Sequence, residues 1–154
     1  MQDFVKIAEQ VLVSCLGVKK DESVLVITDD TRKEIGEALY QAACDLGCEG
    51  LLMVMKEREV SGQEPPKAVA EAMKAADVVI APTAKSLTHT AARIQAAAAG
   101  TRVATMPGIT REMFGKGAMT ADYQEVEKLT ARITDMLTQA DKARIEKDGK
   151  VLEI

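Results

Sequence analysis

Apolar residues in this chain recur in two rhythms, and the switches between them mark out the elements. Phe4, Ile7, Ala8, Val11, Leu12 and Cys15 follow helical spacing, and Gly17 stands where a left-handed glycine would stop the helix. Val24–Ile27 is instead an unbroken apolar run, the pattern of a strand buried on both faces. Thr31 and Glu34 read as a capping box for a second helix, with Ile35, Ala38, Leu39, Ala42 and Leu46 inward and Gly47 at its end. Leu51–Met55 is the next strand. A polar stretch with Gly62, Pro65 and Pro66 follows, and the two prolines suit the first turn of a helix whose stripe is Val69, Ala72, Met73 and Ala76. Val78–Ala81 and Val103–Met106 are two further buried strands. A helix containing SLTHT, smoothed by Ala96–Ala99, lies between them, and a short helix starts near Thr110.

This alternation predicts an α/β fold, a Rossmann-like or flavodoxin-like open parallel sheet of four or more strands. Right-handed crossovers would place helices on both faces. The tail behaves differently. Asp122 and Glu125 can cap a long helix with the stripe Val126, Leu129, Ile133, Met136, Leu137 and Ala140, and two short alternating runs then flank Asp148-Gly149, a strong hairpin signal. The expected organisation is an α/β domain over 1–140 and a C-terminal hairpin over 141–154 that opens a further, catalytic domain.

Composition narrows the function classes. With 154 residues, 47% apolar and 29% charged, the chain has enough core for one ordinary soluble domain. Its net charge of −4, interspersed signs, two Phe, two Tyr and no Trp give no basic, aromatic face for nucleic acid. No run approaches the roughly 20 apolar residues needed to span a bilayer, and the polar start MQDFVKIAEQ is not a secretory signal. Cys15, Cys44 and Cys48 make an odd count without zinc-site companions, so buried thiols in a reducing cytoplasm are expected. The eight methionines fall mostly on core stripes.

Candidate chemistry gathers in one place. Loops after the carboxyl ends of parallel strands form the usual ligand crevice. After Val78–Ala81 the chain offers Thr83, Lys85, Ser86, Thr88, the single histidine His89, Thr90 and Arg93. Two uses fit this cluster. The hydroxyls could donate to a carboxylate or phosphate at the helix start, with Lys85 and Arg93 adding charge; or Ser86 or Thr88 caps the helix and the rest are surface hydroxyls. His89 has no neighbouring acid in sequence to orient it as a base, so a polar or interface contact is its plainer role. Asp29 and Asp30 match part of the acidic pocket of receiver domains, but the third strand runs into Pro82-Thr83 where a phosphoacceptor would stand. Turn formation and helix-start electrostatics suit them better. The T-D-D-T loop lacks any glycine-rich phosphate motif, and one histidine is too few for a two-metal site.

The stretches LGVKKDESVLVITDD, VSGQEPPKAVAEAMKAADVVIAPTAKSLTHTAAR and TRVATMPGITREMF resemble the amino-terminal domain of the metal-dependent leucyl aminopeptidases, the aminopeptidase T or PepS-like group. The resemblance implies a two-domain, cytoplasmic hydrolase that removes amino-terminal residues from peptides and works as a homodimer. It also implies two divalent metal ions, zinc, cobalt or similar, held by acidic and histidine residues of a carboxy-terminal domain. None of those ligand positions falls within this sequence. Related ring-cleaving iron dioxygenases acting on dihydroxypyridines imply an alternative parent. The expectation is an accessory domain, catalytically incomplete alone, with Thr83, Lys85, Ser86, Thr88, His89 and Arg93 lining the substrate cleft or the domain interface. A stand-alone module binding a small anion through the Lys85–Arg93 loop is the alternative.

Overall fold

In the computed structural model, which describes residues 2–154, the four apolar runs form one parallel sheet. Its strands are β1 (Ser23–Asp29), β2 (Glu49–Met55), β3 (Val78–Thr83) and β4 (Arg102–Pro107), in the order β2-β1-β3-β4. The two central strands are the most completely buried. Period-two alternation splits them between two cores. Val24, Val26, Val78 and Ile80 pack with α1 (Gln2–Gln10) and α2 (Lys33–Asp45). Leu25, Ile27, Val79 and Ala81 pack with α3 (Lys67–Ala75) and α4 (Ala91–Ala98). Helices therefore cover both faces, as the strand–helix alternation required.

α1 runs on into a π-helical turn, Val11–Cys15, and two glycines follow helix ends as read from sequence: Gly17 at φ +56° and Gly47 at φ +79°. The capping box at Thr31 and Glu34 does not form. The residue preceding α2 is Arg32, with no side-chain cap, because Thr31 is drawn away: its amide and hydroxyl both donate to Asp29. Glu34 pairs with Arg111 instead. Gly36 lets α2 lie tightly on β1, since a Cβ there would stand 2.8 Å from Thr28 Cγ2. The short α5 (Arg111–Gly115), capped by Thr110, buries Phe114 against Phe4 with ring centroids 5.3 Å apart. Cys44 and Cys48 are half-buried, and Cys15 is exposed rather than buried.

The chain divides into two compact units, Met1–Thr120 and Ala121–Ile154. The long helix α6 (Tyr123–Thr138) thus belongs with the hairpin β5 (Arg144–Lys147) and β6 (Lys150–Glu153), whereas the sequence reading placed it with the sheet. Asp122 caps α6 by accepting the amides of Gln124 and Glu125. Asp148 and Gly149 both take positive φ, +52° and +72°, which the tight hairpin turn demands. The stripe expected to be core is exposed: Val126 and Ile133 at 46%, Leu129 at 59%, Leu137 at 61% and Met136 at 62%. Helical period reveals which face favours burial and says nothing about whether a neighbour covers it. Ile145, Val151, Leu152 and Ile154 are exposed as well. No helix among the described residues is long and apolar enough to cross a membrane.

Candidate functional site

The carboxyl ends of β1, β2 and β3 are tied together by two adjacent aspartates. Asp29, the last residue of β1, is almost wholly buried. Its Oδ1 accepts from the Thr31 amide at 3.0 Å and the Thr31 hydroxyl at 2.6 Å, and its Oδ2 from the Ala84 amide at 2.5 Å. Asp30 Oδ1 accepts from the Glu57 amide at 2.9 Å. The first carboxylate therefore shapes its own turn and anchors the loop after β3, while the second anchors the loop after β2. This is turn-forming work of the kind read for them in sequence.

The segment SLTHT is a loop, and α4 starts only at Ala91. Thr83 Oγ1 donates to the Lys85 carbonyl at 2.7 Å. Ser86 Oγ donates to Thr88 Oγ1 at 2.9 Å and accepts from the Thr88 amide at 3.1 Å. Thr88 Oγ1 also meets Thr105 Oγ1 of β4 at 2.8 Å, and Arg93 Nε donates to the Thr88 carbonyl at 2.7 Å. The structure thus brings Ser86, Thr88 and Arg93 together and adds Thr105 of β4, a position that no local pattern singles out. Lys85 is half-buried. His89 is exposed, and its ring has no hydrogen-bond partner among the described residues.

Neither Ser86 nor Thr88 caps α4. Thr90 does, accepting from the Arg93 amide at 3.2 Å. A second cap comes from far off in sequence: Glu64 Oε1 accepts from the Ala91 amide at 2.6 Å and Oε2 from the Ala92 amide at 3.1 Å. A carboxylate at the positive end of a helix is favourable, and here the protein supplies it itself. A small external anion at this helix start would have to displace Glu64. The loop bearing Glu64 is held down further by the Gly62 amide donating to the Ser86 carbonyl, and by the Ser86 amide donating to Ser61 Oγ.

A two-metal centre does not fit these residues. The carboxylates of Asp29, Asp30 and Glu64 already accept backbone amides, and the single histidine, His89, lies on an exposed turn. No group of three His, Cys, Asp or Glu side chains among the described residues could hold an ion.

The opposite, amino-terminal end of the sheet carries two strongly bonded carboxylates, Asp77 and Glu22. Asp77 accepts the Ser23 amide at 2.8 Å and the Ser23 hydroxyl at 2.7 Å, and these bonds hold its carboxyl below the ordinary value. Glu22 is lowered first by the Lys19 amide and then, against its burial, by the Arg102 guanidinium. Arg102 pairs with Glu22 and also donates to the carbonyls of Leu16 and Gly17, fastening the end of the first helical segment to β4. Burial pushes the Cys48 thiol up, which disfavours the thiolate.

No protein-family model matches the chain, and no curated protein does so at a significant level. Among solved structures, it is similar to the 2,5-dihydroxypyridine dioxygenase of Pseudomonas putida KT2440, with 19% identity and a TM-score of 0.66 over 97% of this chain. It is also similar to AmpT of Thermus thermophilus, with 16% identity and a TM-score of 0.48 over 69% of this chain. The chain spans 46% of the dioxygenase and 36% of AmpT. The likeness to the dioxygenase, at this identity, shows a shared α/β architecture.

Proposed function

We propose that this chain is the non-catalytic α/β portion of a larger metal-dependent enzyme, an aminopeptidase in the first reading, and that its loops after β3 and β4 shape the substrate cleft. The observation that carries the proposal is the self-closure of the sheet's carboxyl edge. At that edge Asp29, Asp30 and Glu64 bind the chain's own amides, a scaffold's use of carboxylates rather than a catalyst's. What this edge offers a substrate is the rim of Lys85, His89 and the linked hydroxyls of Ser86 and Thr88. The exposed apolar faces of α6 and the hairpin support the same reading, because surfaces of this kind mark contact with another domain or protein.

In this proposal the divalent ions are held outside this sequence, by the catalytic partner, and the chain resides in the cytoplasm. A second reading, the matching portion of a dihydroxypyridine dioxygenase, is favoured by the fold likeness over 97% of the chain. Nuclear magnetic resonance titration separates the two. Shifts confined to residues 83–93 on adding a leucyl dipeptide support the aminopeptidase reading. The same shifts on adding 2,5-dihydroxypyridine support the dioxygenase reading. Shifts centred elsewhere with both compounds contradict the cleft assignment.

A further inference from the structure

The backbone amides that Asp29 and Asp30 accept belong to Thr31, Glu57 and Ala84, and the residue directly after each of them is basic: Arg32, Arg58 and Lys85. β1 lies between β2 and β3 in the sheet, so the two aspartates at its end gather the loops that follow all three strands. Each loop brings one cation there. All three are half-buried, and none forms an ion pair among the described residues.

The two arginines are held less firmly than their counterparts elsewhere in the sheet unit. Arg102 pairs with Glu22 and two carbonyls, Arg111 with Glu34, and Arg93 Nε with the Thr88 carbonyl. The Nε atoms of Arg32 and Arg58 are instead enclosed with no hydrogen-bond partner among the described residues. Arg32 makes one side-chain bond, from Nη1 to the Thr31 carbonyl at 3.2 Å, and Arg58 makes none among those residues. A guanidinium cannot shed its proton to relieve such burial, so the charge stays and is poorly solvated. Nearby acids do not relieve it. Asp29 gives both oxygens to amides and Asp30 gives Oδ1, while Glu57 and Glu59, beside Arg58 in the chain, form no ion pair with it. Only Nε is enclosed, which leaves the terminal amines to meet an outside acceptor.

We propose that Arg32 and Arg58, with Lys85 beside them, bind the carboxylate of a small ligand at the carboxyl end of β1. A planar carboxylate offers a guanidinium two acceptor oxygens in matching geometry. Lys85 adds charge without a fixed direction. A phosphate is the poorer ligand, because it sets more negative charge beside Asp29 and Asp30. The inference does not rest on the proposed function.

Titration of the isotope-labelled chain with sodium acetate at constant ionic strength, followed on the arginine Nε–H signals by nuclear magnetic resonance, tests it. Acetate is neither a peptide nor a dihydroxypyridine, so the outcome is separate from that of the cleft titration. The expected result is saturable shifts at Arg32 and Arg58, with a Kd at least threefold below that for inorganic phosphate. Arg32→Gln and Arg58→Gln, each checked for unchanged circular dichroism, raise the acetate Kd at least fivefold. Arg58→Lys keeps the charge, loses the fork and recovers only part of the affinity, and Lys85→Gln weakens binding less than either arginine substitution. A titration that never saturates overturns the proposal. So does phosphate binding tighter than acetate, or acetate binding that both arginine substitutions leave unmoved.

Discussion

Glu64 and Ala91 lie 27 residues apart, yet the Glu64 carboxylate accepts the Ala91 amide at 2.6 Å and so caps the helix that follows the candidate cleft loop. The cap is charge-assisted and shared with Ala92. Glu64→Ala is expected to cost about 1 kcal/mol in urea unfolding, the usual worth of a lost helix cap. Hydrogen exchange should speed up at Ala91 and Ala92 while the sheet amides stay protected. Glu64→Gln, which keeps one acceptor oxygen, should fall between the two.

Close packing of α2 on β1 gives a second expectation. Gly36→Ala would gain helix propensity, about 1 kcal/mol, but its methyl meets Thr28 Cγ2 at 2.8 Å. Overpacking of this kind costs about 1–3 kcal/mol, so the variant should be net destabilised in thermal or urea unfolding. Adding Thr28→Ser removes that methyl while keeping the hydroxyl that donates to the Pro82 carbonyl at 3.0 Å, and should recover part of the loss.

Acid stability follows from the two lowered carboxyls at the amino-terminal end of the sheet. The Ser23 amide and hydroxyl depress Asp77; the Lys19 amide and then Arg102 depress Glu22. A depressed folded-state pKa contributes stability above the unfolded value and loses it as pH falls through the folded value. Unfolding free energy should therefore be flat from neutral pH to about 5 and decline below about 4, the ordinary carboxylate range. Asp77→Asn and Glu22→Gln should each lower stability at neutral pH and flatten that acid limb. An acid limb unchanged in both variants would contradict the assignment.

The exposed stripe of α6 makes a contrasting prediction. Leu129→Asn and Ile133→Gln should change stability by no more than about 0.5 kcal/mol, as for other exposed positions. Leu39→Ala in the core should cost about 2–5 kcal/mol. A large loss at Leu129 would mean that this face is covered within the chain.

Much of the fold was legible because the sheet is buried on both sides. Unbroken runs such as Val24–Ile27 and Val78–Ala81 have few alternatives once helical stripes flank them. Gly17, Gly47 and the Asp148-Gly149 turn were legible for a local reason, since each position needs positive φ. Long-range competition was not legible. Thr31 looked like a cap until Asp29, buried at the end of β1, took both of its donors. The Glu64 cap and the Thr88–Thr105 pair depend on loops brought together by sheet order, which no local pattern encodes. The polar residues after β3 were legible as a cluster in sequence, but their hydrogen-bond partners came only from the geometry.

The central claim is that the chain supplies a scaffold and leaves the ion-binding chemistry to another part of the enzyme. Cobalt titration of the purified chain, coupled to hydrolysis of leucine p-nitroanilide, tests it most directly. The account predicts neither saturable binding at micromolar metal nor hydrolysis above the metal-only background. Stoichiometric cobalt binding accompanied by hydrolysis that disappears in His89→Ala would contradict it.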